Sequence, residues 1–309
     1  MPTKQDITKE IESLRAEHYV RRKYLKQLSD FTKRDTILYA SSYISFGFQH
    51  SEYTSIIDHD LHNCMSAVHE LKNDKLDLIL HSPGGSLEAA QKIISYLRSK
   101  YNNIRAIIPM SAMSAATMMC CACDEIIMAK HSFMGPIDPQ IRVQMNGGIQ
   151  YLPINSIIEE FNYLQKLFND GIAKNPLYAH YIALLQNHLN KYPPINQLQD
   201  IKDRARDIVA NWLETYMLKG NKEKSIEIAS WLSDFEKQHK SHSNPISYTE
   251  IKKQGLSVVQ LEDSQELQEL VLSVFHATMA TFERMPNCVK ILENQNGKGG
   301  IGAVQISEK

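Results

Sequence analysis

Leu76-Asp77-Leu78-Ile79-Leu80-His81-Ser82-Pro83-Gly84-Gly85-Ser86 reads as a buried strand that stops at Pro-Gly-Gly and turns directly into a helix. Such a turn leaves backbone N–H groups converging at the C-terminal edge of a sheet, where anions and oxyanions bind. The following residues, Ser86–Lys100, place Ala89, Ala90, Ile93, Ile94 and Leu97 at helical spacing, with Ser86 as N-cap. Working outward, the same grammar repeats. Thr36–Tyr43 is a candidate strand, and Asp58–Asn73 alternates at helical spacing. Downstream, Ile104–Pro109 is a buried strand, Met113–Cys123 a helix of small residues and Glu125–Ala129 another strand. This alternation predicts an α/β fold of repeated βα units around a mainly parallel sheet.

Beyond Pro139 the strand signal fades. Helical stripes run through Asn155–Asn169, Ile201–Leu213, Lys222–Phe235 and Gln265–Phe282. At the other end, residues 4–33 read as one polar helix with a thin stripe of Ile7, Ile11, Leu14, Tyr19 and Leu25. That stripe suits either an oligomerisation arm or a solvated helix lying across its own domain. The expected organisation is an N-terminal helical arm (1–34), an α/β core (35–152), a helical part packed on or extending it (153–285) and a flexible, Gly-rich tail (286–309).

Across 309 residues, 34 Lys+Arg balance 35 Asp+Glu, so the chain lacks the basic excess of a dedicated nucleic-acid binder. With 43% hydrophobic residues it can bury a real core, which excludes a wholly disordered or coiled-coil chain. The five cysteines form no disulfide framework, since Cys120, Cys121 and Cys123 crowd together while Cys64 and Cys288 stand apart. They suit a reducing compartment. Adjacent cysteines on a helix point apart, so packing explains them better than a metal. No Walker loop, Gly-x-Gly-x-x-Gly or His-Glu-x-x-His occurs, and no cofactor is expected. No secretory leader is visible, and the cytoplasm is the expected location. The charge-free run Ala106–Cys123 has the length of a membrane span, but Pro109 splits it and its residues are mostly small.

A second constellation, Pro109-Met110-Ser111-Ala112-Met113-Ser114-Ala115-Ala116-Thr117, puts a serine after a buried strand at the first turn of a helix. Ser111 or Ser114 there is either an N-cap or an exposed hydroxyl at a tight turn. Two such βα turns, separated by one helix and one strand, bring Gly84 and Gly85 beside Ser114, an arrangement that suits an oxyanion hole.

His81–Ser86, Ser111–Met118 and the run from Ala122 to Gln140 together resemble the serine dehydrogenase proteinase family. That group is a branch of the Clp-fold peptidases, related to signal peptide peptidase A and the ClpP protease on the crotonase-like scaffold. Weaker matches follow at 239–246 and 274–277. The resemblance implies ATP-independent peptide-bond hydrolysis of a protein or peptide substrate. It implies Ser114 as nucleophile, an oxyanion hole at the Gly84-Gly85 turn and Ala115, and a homo-oligomer. From the signal peptide peptidase branch it adds peripheral membrane association, with the Met-rich stretch 113–119 lining a substrate groove. One departure stands out: the family usually has Ser-Ala-Gly, and here the string is Ser114-Ala115-Ala116. The added methyl either narrows the approach or tightens helix packing.

A serine needs a neighbour to take its proton, His in ClpP-like enzymes and Lys in the signal peptide peptidase branch. Ile137-Asp138 falls near the ClpP-type histidine position, and the preceding His131 reads as a solvent-facing loop residue. The base candidates are therefore Asp138, Lys166, Lys202 and His242, with turn, surface or loop roles as their ordinary alternatives. Two other functions fit the same scaffold: crotonase-type work on an acyl thioester, and a non-catalytic assembly or adaptor protein.

Overall fold

The computed structural model describes residues 2–14, 17–46, 51–145, 148–171, 191–233 and 244–303. Helices α1 (Lys4–Leu14) and α2 (Glu17–Thr32) lead into β1 (Asp35–Ser41). The βα series follows as α3 (Asp60–Val68), β2 (Lys75–His81), α4 (Leu87–Lys100), β3 (Asn103–Ile108), α5 (Ala115–Cys121) and β4 (Glu125–Met128). Next come β5 (Gln140–Met145), β6 (Gly148–Pro153), α6 (Ile154–Gly171), α7 (Ile195–Trp212) and α8 (Lys222–Ser233). The chain returns to the sheet through β7 (Val258–Gln260), α9 (Gln265–Arg284), β8 (Cys288–Asn294) and β9 (Gly299–Ala303).

Seven strands form the main sheet in the order β7-β4-β3-β2-β1-β8-β9. From β1 to β7 the pairing is parallel, and β8 joins β1 antiparallel. The strand that opened the sequence reading, β2, is the middle one. Both its faces are covered, so Leu78, Ile79 and Leu80 are apolar in succession, and its one acidic residue, Asp77, is buried against Arg34 and Arg105. Leu76, Leu78 and Leu80 pack toward α3, α4 and α5, a core that also takes in Ala205 and Val209 of α7 and Ile228 and Leu232 of α8. Ile79 faces Leu25 and Leu28 of α2 and Val271 and Val274 of α9. Each such fully buried aliphatic side chain contributes about 1.5–3 kcal/mol.

Two expectations are corrected, and one left open is decided. The segment 286–309, expected as a flexible tail, supplies β8, whose seven residues are all buried, and β9. Its glycines serve a hairpin: Gly297 has φ +73°, and a Cβ on Gly300 would lie 1.9 Å from Asn63 Oδ1. The N-terminal arm lies on its own domain. Ile7, Ile11 and Val20 pack on Ala277 and Ala280 of α9, and fully buried Arg21 donates to Glu293 at 2.5 Å and to Thr281 at 2.8 Å. Small partners and an ion pair account for the thin apolar stripe. Strand structure also continues past Pro139, where β5 and β6 pair antiparallel from Gln140↔Pro153 to Met145↔Gly148. The alternation of Ile141, Val143 and Met145 with polar neighbours was its signal.

Candidate active site

The two βα turns meet at the C-terminal edge of β2 and β3. Backbone bonds fasten them: Ser82 N–H donates to Ser111 O at 3.1 Å, and Met113 N–H to Ser82 O at 3.0 Å. Gly84 has φ +95°, and a Cβ there would lie 2.5 Å from Met113 O and 2.8 Å from Ser114 Cβ. Only glycine lets the first turn close on the second.

Ser114 is the N-cap of α5 with φ 51° and ψ −119°, a strained backbone for an L residue, and its side chain makes no capping bond. Of the two readings open to this serine, a capping hydroxyl is set aside. The turn is held by Thr117, whose Oγ1 lies 2.8 Å from both Ala112 O and Gly135 O, so that its single proton is shared between the two carbonyls, and which accepts from Gly135 N–H. Ala116 is fully buried in the core, so its methyl tightens the helix packing instead of narrowing the approach. Met118 and Met119 are buried too, which removes them from any substrate groove and leaves Met113 half-buried beside Ser114.

On the glycine side, residue 56 supplies a strap that sequence reasoning missed. Ile56 N–H donates to Gly84 O at 2.8 Å, and Ser86 N–H donates to Ile56 O at 2.9 Å. In this parallel bridge between Ile56 and Gly85, the Gly85 N–H points away from the strap. Among the described residues, the Gly85 and Ala115 N–H groups donate to no protein acceptor.

None of the described base candidates bonds to Ser114, and two of them, Asp138 and Lys202, feel each other's charge. Asp138 is buried and accepts from Asn155 Nδ2 at 2.6 Å, and the same amide reaches Ser233 O at 3.4 Å. Burial pushes its pKa up to about 7, against the charge of Lys202, which pulls it down, while Glu159 raises it. Lys202 is half-buried on α7, Lys166 is exposed on α6, and His242 lies outside the described residues. No described side chain hydrogen-bonds Ser114 Oγ. His131 is exposed and its Nε2 lies 3.0 Å from Pro109 O, and His81 is buried between the rings of Tyr43 and Phe275. Burial pushes His81 down to about 4, so it is neutral at pH 7.

Among the described residues no three His, Cys, Asp or Glu side chains converge on a metal position. The cysteines are buried, and burial pushes Cys64 and Cys123 up to about 12.

A family model described as ClpP-like SDH-type serine proteinase matches residues 11–166, half of the chain, from α1 into α6. The chain belongs to this family. The match takes in both turns, the strap and Asp138, so this family member carries its candidate site inside the shared region. Two Methanocaldococcus jannaschii proteins, both uncharacterized, are similar to it. MJ0137 is 35% identical over 123 residues, 39% of this chain and 43% of that protein. MJ1495 is 42% identical over 86 residues, 28% of this chain and 27% of that protein. The chain thus spans less than half the length of the curated relatives it matches. A solved structure, a mutant of the 1510-N membrane-bound stomatin-specific protease, covers 37% of this chain and 58% of its own at 18% identity. Its TM-score is 0.29, too slight a likeness to bear on the site. No helix among the described residues is long and apolar enough to cross a membrane, and the run Ala106–Cys123 divides into a strand, a turn and the short α5.

Proposed function

We propose that the chain hydrolyses peptide bonds without an ATPase of its own, with Ser114 as nucleophile and the N–H groups of Gly85 and Ala115 as the oxyanion hole. The observation that carries this reading is the Ser114 turn. A strained serine whose hydroxyl does not cap its helix sits against a glycine turn with a free N–H on each side. Ser114 Oγ attacks the scissile carbonyl carbon while its proton passes to a base. The carbonyl oxygen takes up the charge and is held by the two N–H groups, and the C–N bond breaks as the amine receives the proton. Water then hydrolyses the acyl-serine by the same route. One such donor is typically worth about 10²–10³ in rate.

For the base we favour Asp138, because a carboxyl near 7 is matched to proton transfer at neutral pH. Burial holds the pKa of that carboxyl up, and the nearby charge of Lys202 opposes it. Protein or peptide substrates, a homo-oligomer and peripheral attachment to a membrane from the cytoplasmic side complete the proposal.

The test is labelling of Ser114 by a fluorophosphonate probe, lost in Ser114→Ala, together with cleavage of an unstructured protein. A native oligomer that takes no label overturns it. A second reading, a non-catalytic assembly protein, draws on the lack of any described side chain bonded to Ser114 Oγ, and it predicts that no-label result.

A further inference from the structure

Lys290 and Asp60 form an ion pair inside the protein, both almost wholly buried. Lys290 Nζ donates to Asp60 Oδ1 at 3.0 Å and Oδ2 at 2.9 Å, and to the Ser55 carbonyl at 2.6 Å. Asp60 Oδ2 also accepts from Tyr39 OH at 2.7 Å and from Ile57 N–H at 2.9 Å. The pair therefore grips the strap on both sides of Ile56, at the carbonyl before it and the amide after it. The groups of Ile56 itself are spent on Gly84 O and Ser86 N–H. There is no slack between strap and turn, since a Cβ on Gly85 would lie 2.4 Å from Ile56 N.

We propose that Lys290 and Asp60 are positioning residues for the oxyanion hole, acting through the strap Ser55–Ile57 to aim the Gly85 N–H at the carbonyl held by Ser114. This rests on the peptidase reading above. A buried ion pair is weak as a source of stability, because apolar replacements of similar size are often neutral or stabilising. What a charged pair with three directed bonds to its surroundings adds is a fixed orientation of the peptide groups it holds. That is the quantity an oxyanion hole depends on, where a displacement of about 1 Å costs on the order of 10²-fold in rate. Neither residue touches substrate.

The test compares wild type with Lys290→Met/Asp60→Leu, which removes both charges together, and with Tyr39→Phe, which removes one bond to Asp60. Two readouts are taken: amide hydrogen exchange at Ile56 and Ser86, and fluorophosphonate inactivation of Ser114 resolved into kinact and KI. In the double variant both amides should exchange at least about tenfold faster, with kinact down about 10²-fold and KI unchanged. Tyr39→Phe should move both readouts the same way by less, and it serves alone if the double variant does not fold. Unchanged exchange overturns the clamp whatever the chemistry, and faster exchange with unchanged kinact overturns its role in the hole. A wild type that takes no label but shows faster exchange in the variants rejects the peptidase reading while supporting the clamp.

Discussion

Gly84 faces Ser114 so closely that a methyl group on the glycine would stand 2.8 Å from the serine Cβ. The two residues belong to successive βα turns, and their contact is what makes one site of two local motifs. Gly84→Ala introduces both that clash and an L side chain at φ +95°. It should cost about 1–3 kcal/mol in urea denaturation and abolish probe labelling of Ser114.

Ser114 itself stores strain, with φ 51° and ψ −119°. Replacement by glycine relieves it, so Ser114→Gly should raise stability by about 1 kcal/mol while ending all labelling. Thermal unfolding of Ser114→Gly beside Ser114→Ala separates the backbone effect from loss of the hydroxyl. Equal stability of the two would show that the turn is unstrained.

Asp138 gives a pH signature. Its pKa is pushed up to about 7 from the ordinary 3.8, chiefly by burial. The folded chain therefore holds this proton after the unfolded chain has released it. Stability from this group is fully present below about pH 4, falls as pH rises toward 7, and stays low above that. The loss is on the order of a few kcal/mol. Asp138→Asn keeps the shape and cannot ionise, so its denaturation midpoint should fall less than that of wild type between pH 4 and 8. Parallel pH profiles would refute this. If Asp138 is the base, peptidase activity also falls in this variant at every pH.

The N-terminal arm is testable through Arg21, fully buried with its guanidinium on Glu293 and Thr281. Arg21→Ala leaves Glu293 buried with Arg22 at 3.0 Å as its remaining cation. A loss of about 3 kcal/mol is expected, with early exchange of β8 amides. An exposed arm would show neither.

The Arg21 pair also shows what could be read in advance and what could not. Residues 4–33 spell a helix by periodicity, yet the stripe looked too thin for the core, because its depth comes from a partner 272 residues away. In the same way Lys290 reads as one charge in a Gly-rich tail until Asp60, 230 residues distant, is beside it. Burial of a charge is a property of the pair, and a linear sequence does not contain the pair.

Local chemistry alone determined the βα grammar, the places where each strand stops and the two turns that carry Gly84, Gly85 and Ser114. Periodicity, helix capping and glycine conformation act over a few residues, so they are written in neighbouring letters. Tertiary structure decided everything that depends on pairing across the chain. It made the supposed tail β8 and β9, laid the arm on α9, set Ile56 against Gly85, sank Ala116 into the core and left Ser114 without a bond to any described base candidate. Strand pairing and desolvation are settled by which distant segments meet, and only the folded chain brings those segments together.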